Sequence, residues 1–132
     1  MRSNRENDMR KILIIDDEKD YCLFVKQNLE LMGAYNVVIA NDGATGLEIA
    51  SKDRPDLILL DIIMPRMNGF EVLKELKNNK KMNGIPVVML TALDTEEARE
   101  KALSIYGEDY ISKPVEMSVL KARIEAVLAK KL

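Results

Sequence analysis

Lys11 to Ile15, KILII, followed at once by Asp16 and Asp17, is the stretch on which the reading of the fold turns. A short apolar run without polar alternation is the pattern of a strand buried on both faces, as in a parallel sheet covered by helices, and its abrupt end in two carboxylates marks where such a strand emerges into a loop. From Glu18 to Met32 the apolar positions Tyr21, Phe24, Val25, Leu29 and Met32 recur at offsets of three and four, with Gly33 as a stop, so a helix is expected there. Asn36 to Ala40 (NVVIA) is a second strand-like run, and Asp42 opens a helix near Ala44 to Ser51 that must end before Pro55. The alternation continues. Asp56 to Leu60 (DLILL) reads as a third strand, followed by a loop from Asp61 to Gly69 and a helix carrying Val72, Leu73 and Leu76 on one side. Pro86 to Leu90 (PVVML) reads as a fourth, with Pro tolerated at its first residue, and Asp94 or Thr95 caps a helix through Ala98 and Ala102. A short fifth strand near Asp109 to Ile111 precedes a last helix striped by Leu120, Ile124, Val127 and Leu128. Five strands alternating with five helices require crossover connections, which are almost always right-handed, so the expected fold is α/β with a doubly wound, five-stranded parallel sheet.

Composition narrows the chemistry. At 132 residues the chain is about one domain by length. Its polar first nine residues are expected to be a flexible tail rather than a secretory signal, with the domain running over residues 10–132 and leaving no room for an attached effector domain. No apolar run approaches the ~20 residues of a membrane span, so a soluble protein is expected. Formal net charge is −2 with no dense basic patch, which argues against direct nucleic-acid binding. The chain has no histidine, so Ser-His-Asp relays, imidazole ligation of metals and phosphohistidine are all excluded. A single cysteine, Cys22, can form neither an internal disulfide nor a thiolate zinc site; it is expected to be core filler or helix surface in a reducing, cytoplasmic setting.

In an open parallel sheet ligands bind at the carboxyl ends of the strands. Asp16 and Asp17 follow the first strand, Asp61 the third, Thr91 the fourth and Lys113 the fifth, so five functional side chains should meet on one rim. Carboxylates within a few ångströms of one another raise each other's pKa unless a cation compensates. An all-oxygen donor set suits a small hard divalent ion, Mg²⁺ first and Mn²⁺ as its substitute. Lys113 adds a fixed positive charge and Thr91 a hydroxyl, which together outline a place for a phosphoryl group. Singly, each residue is ordinary: Asp pairs cap helices, Lys-Pro is a common dipeptide, and Asn68-Gly69 is strong turn chemistry. Their placement at four strand ends is what points to a site.

These residues resemble those of bacterial receiver domains of two-component response regulators: Asp16-Asp17 after KILII, the stretch DIIMPRMNG from Asp61 to Gly69, Thr91-Ala92 after VVML, and Lys113-Pro114. The resemblance covers about residues 10 to 130, and the separations between Asp17, Asp61, Thr91 and Lys113 agree with that family's layout. It implies a flavodoxin-like strand order 2-1-3-4-5 and a phospho-switch rather than an enzyme with substrate turnover. Asp61 would accept a phosphoryl group from a sensor histidine kinase or a histidine phosphotransfer protein. Asp17, Asp61 and the backbone carbonyl of Ile63 would ligate Mg²⁺, with Asp16 acting through water and Lys113 pairing with the phosphoryl oxygens. The Lys113-Pro114 bond would be cis. Phosphorylation would draw the Thr91 hydroxyl inward and open space for Tyr110, signalling through a face built from the fourth helix, fifth strand and fifth helix, roughly Asp94 to Leu132, to a downstream protein or through a phosphorylation-dependent homodimer. Tyr110 could instead be a surface strand aromatic.

Two departures from the family pattern stand out. Tyr106-Gly107 replaces the Gly-Ala pair common before the fifth strand. Ile63 and Leu93, each two residues beyond a site residue, are apolar at positions that modulate phosphate lifetime in the family, and neither can orient an attacking water, so slow autodephosphorylation is expected. Replacing Ile63 by Asn should speed phosphate loss; an unchanged or slower rate removes the argument. An aspartate-nucleophile phosphatase would want an acid two residues after its nucleophile, where Ile63 stands, and a dinucleotide-binding domain would want G-x-G-x-x-G where the sequence has DDEKD.

Overall fold

A computed structural model describes residues 9–105 and 107–130. Most of the expected tail at residues 1–9, and Tyr106 of the Tyr106-Gly107 pair, lie outside the described residues.

Ten elements alternate: β1 (Arg10–Ile15), α1 (Lys19–Leu31), β2 (Tyr35–Ala40), α2 (Gly43–Asp53), β3 (Leu57–Leu60), α3 (Gly69–Asn78), β4 (Val87–Thr91), α4 (Glu96–Ser104), β5 (Asp109–Ser112) and α5 (Met117–Ala129). All the strand pairings are parallel and the sheet order is β2-β1-β3-β4-β5, as the resemblance implied. The sheet is buried on both faces. Because successive strand side chains point to opposite sides, Leu13, Ile15, Ile58, Leu60, Val87 and Met89 pack against α2, α3 and α4. Ile12, Ile14, Leu57, Leu59, Val88 and Leu90 pack against α1 and α5. The apolar runs had no polar alternation for this reason. Parallel pairing also places the carboxyl ends of all the strands on one edge and the connections into them on the other.

Local chemistry sets the boundaries. Asp42 and Thr95 cap α2 and α4 by accepting from the backbone N–H groups of Thr45 and Ala98. Of the two residues proposed to cap α4, Thr95 does so, while Asp94 pairs with the Arg99 guanidinium at 2.8 Å. Asn68-Gly69 is a helix start rather than a turn: Asn68 Oδ1 accepts from the Glu71 N–H and Glu71 Oε1 accepts from the Asn68 N–H, a reciprocal capping box. Gly33, at φ +79°, ends the first helical segment as expected.

The face of α1 differs from the sequence reading. Cys22, Val25 and Leu29 face the sheet, whereas Phe24 is 50% exposed and Met32 37% exposed. Tyr21 to Val25 is apolar at every position, so spacing alone gave no direction. For α5 the expected stripe of Leu120, Ile124, Val127 and Leu128 is the buried one.

Candidate functional site

Three of the five expected residues, Asp16, Asp61 and Lys113, meet at the carboxyl edge of the sheet, each placed by a strand end. The Asp16 N–H donates to the Ala40 carbonyl and the Asp61 N–H to the Ile15 carbonyl, both at 3.0 Å, so the sheet ladder itself fixes both acid residues. Both side chains are buried, at 1% and 5% exposed. Lys113 is held by its own N–H, which donates to the Thr91 carbonyl at 2.8 Å, and it precedes a cis peptide bond to Pro114, as the resemblance implied. Its ammonium crosses to the acid residues: Nζ donates to Asp16 Oδ2 at 2.7 Å and to Glu18 Oε1 at 2.8 Å, and lies 3.6 Å from Asp61 Oδ2. The Tyr21 ring covers the same ammonium, with its centroid 4.4 Å from Nζ.

Of the four residues assigned to metal binding, Asp17, Asp61 and Ile63 border one hollow and Asp16 does not. Asp17 and Ile63 line an open hollow of about 320 Å³ together with Glu18, Asp61, Ala92 and Lys113. Among the described residues, the acid groups whose oxygens fall within 4.8 Å of one another are Asp16, Glu18 and Asp61; Asp17 borders the hollow without joining them. The sequence reading missed Glu18 and Tyr21, because it searched only residues directly after each strand, and these lie on the turn into α1 and in its first turn. The third acidic letter of DDE was the signal for Glu18.

Thr91 and Tyr110 are buried and do not line the hollow. Thr91 is fully buried, and its Oγ1 accepts from the Leu93 N–H at 3.2 Å. Tyr110 is 4% exposed, so it is a core aromatic rather than a surface one. Its hydroxyl donates to the Leu93 carbonyl, and the Arg99 guanidinium sits 4.8 Å from its ring centre. Both residues thus hold opposite groups of Leu93 in the loop after β4. Cys22 is fully buried, with burial and the nearby Asp16 pushing its thiol up to about 12, so it is core filler and not a nucleophile.

The electrostatics of the site are unbalanced. Burial pushes the Asp16 carboxyl up to about 6, and Asp61 adds to that, against the opposing hydrogen bonds from Lys113 and the Glu18 N–H. Burial alone would lower Lys113; its bonds to Asp16 and Glu18 outweigh that and hold it above the usual lysine range, so it is a permanent cation. Three carboxylates face one ammonium. The donors are all oxygen, with no imidazole or thiolate among them, which fits a hard divalent ion that keeps part of its water shell. A buried carboxylate at a strand end, a fixed cation beside it and an open anionic mouth suit transfer of a phosphoryl group to the carboxylate. Ile63, apolar and 57% exposed at that mouth, leaves no general acid two residues on from Asp61.

A model of the response regulator receiver domain family matches residues 12–125. The alkaline phosphatase synthesis transcriptional regulatory protein PhoP of Bacillus subtilis is 40% identical over 119 residues, covering 90% of this chain and 48% of the relative. Transcriptional regulatory protein CpxR of Escherichia coli is 40% identical over 120 residues, covering 91% and 50%. The chain thus spans about half the length of the curated relatives it matches. Among solved structures, a CheY-like response regulator receiver domain protein from Methanospirillum hungatei superposes with a TM-score of 0.86 at 31% identity, covering 92% of this chain and 95% of that one. The chemotaxis protein CheY4 of Vibrio cholerae gives 0.85 at 30% identity, covering 90% and 98%.

Proposed function

The chain belongs to the response regulator receiver domain family, and from that premise we propose that it is a phospho-switch whose acceptor is Asp61. A phosphohistidine on a sensor kinase or histidine phosphotransfer protein is the donor. An Asp61 carboxylate oxygen attacks phosphorus, the P–N bond breaks, the electron pair stays on the imidazole nitrogen, which takes up a proton, and an acyl phosphate remains on Asp61. Lys113 moves its ammonium onto the phosphoryl oxygens, and the Thr91 hydroxyl donates to another. Asp17, Asp61 and the Ile63 carbonyl are the groups that would hold Mg²⁺, or Mn²⁺ in its place, with Asp16 behind them. The bound ion supplies the positive charge that the acid cluster lacks and that a transferring phosphoryl group needs.

The observation that carries this reading is the pairing of a 5% exposed carboxylate, Asp61, with the Lys113 ammonium 3.6 Å away at the mouth of an all-oxygen cluster. The output follows from the Thr91–Leu93–Tyr110 contacts. Pulling Thr91 toward the phosphate loosens the loop that both side chains grip, and Tyr110 follows into the space vacated, altering the face of α4, β5 and α5. A downstream protein, or a second phosphorylated copy, reads that face. The chain turns over no substrate beyond its own aspartyl phosphate, makes no direct contact with nucleic acid and works in the cytoplasm; no described helix is long and apolar enough to cross a membrane.

The test is incubation with acetyl phosphate and Mg²⁺ followed by intact-mass measurement. One added phosphate is expected, absent in Asp61→Ala and absent when the metal is chelated. Uptake that persists in Asp61→Ala, or release of inorganic phosphate from a panel of phosphoesters, would show the reading to be wrong.

A further inference from the structure

We propose that Glu18 is a positioning residue that holds the Lys113 ammonium back from Asp61 in the resting protein and gives it up when a phosphoryl group arrives. The inference rests on the reading of Asp61 as phospho-acceptor. An ammonium has three donors in a fixed tetrahedral arrangement. Lys113 spends one on Asp16 Oδ2 at 2.7 Å and one on Glu18 Oε1 at 2.8 Å, while Asp61 Oδ2, at 3.6 Å, is beyond hydrogen-bond reach. The Tyr21 ring closes a further side at 4.4 Å. The ammonium therefore lies on the Asp16–Glu18 side of the cluster, and closing from 3.6 Å to hydrogen-bond distance of oxygens attached to Asp61 draws it away from that side.

The two carboxylates differ in how readily they let go. Asp16 is 1% exposed, and its other oxygen accepts from the Glu18 N–H at 2.9 Å, so its side chain has nowhere to turn and no water to turn into. The Glu18 side chain is 61% exposed, and a small rotation returns its carboxylate to solvent at little cost. Glu18 is the exchangeable partner and Asp16 the fixed one. The same carboxylate stands within 4.8 Å of the acid oxygens of Asp16 and Asp61, where it adds negative charge opposite an anionic donor. Removing the Glu18 charge while keeping its shape frees the ammonium, so phosphorylation speeds up.

The experiment compares the whole chain with its Glu18→Gln variant. Aspartyl phosphate formation is followed by intact mass over a range of acetyl phosphate concentrations in saturating Mg²⁺, and Mg²⁺ affinity is measured separately by calorimetry. In the covalent step an Asp61 oxygen displaces acetate from phosphorus, and acetate leaves with the bonding pair. The maximal rate is expected to rise about fivefold, the size of one part-exposed ion pair, with Mg²⁺ affinity changed less than twofold. A variant that binds Mg²⁺ much more weakly and reacts more slowly would make Glu18 a metal ligand and overturn the proposal. So would a gain seen only below saturation, which would reduce Glu18 to a charge that repels the donor. A wild-type chain that reacts beside a variant no faster overturns this proposal alone, whereas a wild-type chain that takes up no phosphate overturns the acceptor reading with it.

Discussion

Asp61 feels two like charges, on Asp16 and Glu18, and one opposite charge, on Lys113, all within 4.8 Å. Its charge is one of the causes that push the buried Asp16 carboxyl up, a repulsion worth about 1 kcal/mol at a solvent-screened distance of this order. Asp61→Asn should accordingly stabilise the metal-free protein by about 1 kcal/mol, and a cation that neutralises the cluster should shrink that gain. Thermal melts of both forms with Mg²⁺ and with chelator check it; an equal or larger gain in Mg²⁺ would remove the cation from the argument. A second residue-scale pair lies away from the cluster. Asp109 feels a burial cost, but two hydrogen bonds from Arg123, at 2.6 and 2.7 Å, and one from the Tyr110 N–H outweigh it and lower its pKa. A carboxyl with a depressed folded pKa contributes stability above its unfolded pKa of about 4, and that contribution is lost as pH falls through the folded value. Asp109→Asn should therefore cost about 1 kcal/mol at pH 7, a figure discounted for the solvent that reaches the pair, and progressively less below pH 4. Chemical unfolding at both pH values measures it, and a cost independent of pH would assign the loss to packing instead.

Gly69 shows why the start of α3 can lie so close to Asp61. A Cβ there would run into the Asp61 carbonyl oxygen and come within 2.6 Å of the Ile62 Cα, both backbone atoms that cannot move aside cheaply. The Gly69 N–H also donates to the Ile62 carbonyl at 2.9 Å, which ties the helix start to the strand end. Gly69→Ala should cost about 1–3 kcal/mol through overpacking and should slow phosphorylation by displacing Asp61. Unfolding and acetyl phosphate assays on one preparation test both, and a variant with wild-type stability would contradict the close approach. At this scale the sequence was legible where polarity has a direction. The buried stripes of α3 and α5 followed from spacing, because charged residues mark their outer faces. On α1 the contiguous apolar run Tyr21 to Val25 carries no such mark, and Phe24, one of the positions at helical spacing, is half exposed to solvent. Asp16, Asp61 and Lys113 were legible because a parallel sheet gathers strand ends. Glu18 was not, because its role comes from the reach of a lysine ninety-five positions away and not from its own place after a strand.

The doubly wound topology separates the work of the molecule between its two edges. Strand β3, at the centre of the sheet with all four residues buried, delivers Asp61 to one edge, and the Thr91–Leu93–Tyr110 contacts link that edge to β5. The opposite edge carries the α3–β4 turn, where Lys80 and Lys81 are exposed and Lys77 bridges the turn by donating to the Asn83 and Ile85 carbonyls. That separation gives an experimenter a handle. A short epitope or fluorophore-bearing peptide spliced between Lys80 and Lys81 should leave the rate of acyl phosphate formation unchanged, while the same splice between Ile63 and Met64 should abolish it. The turn remote from the acid cluster is thus the place from which the protein could be tethered to a surface or watched by energy transfer with its chemistry undisturbed.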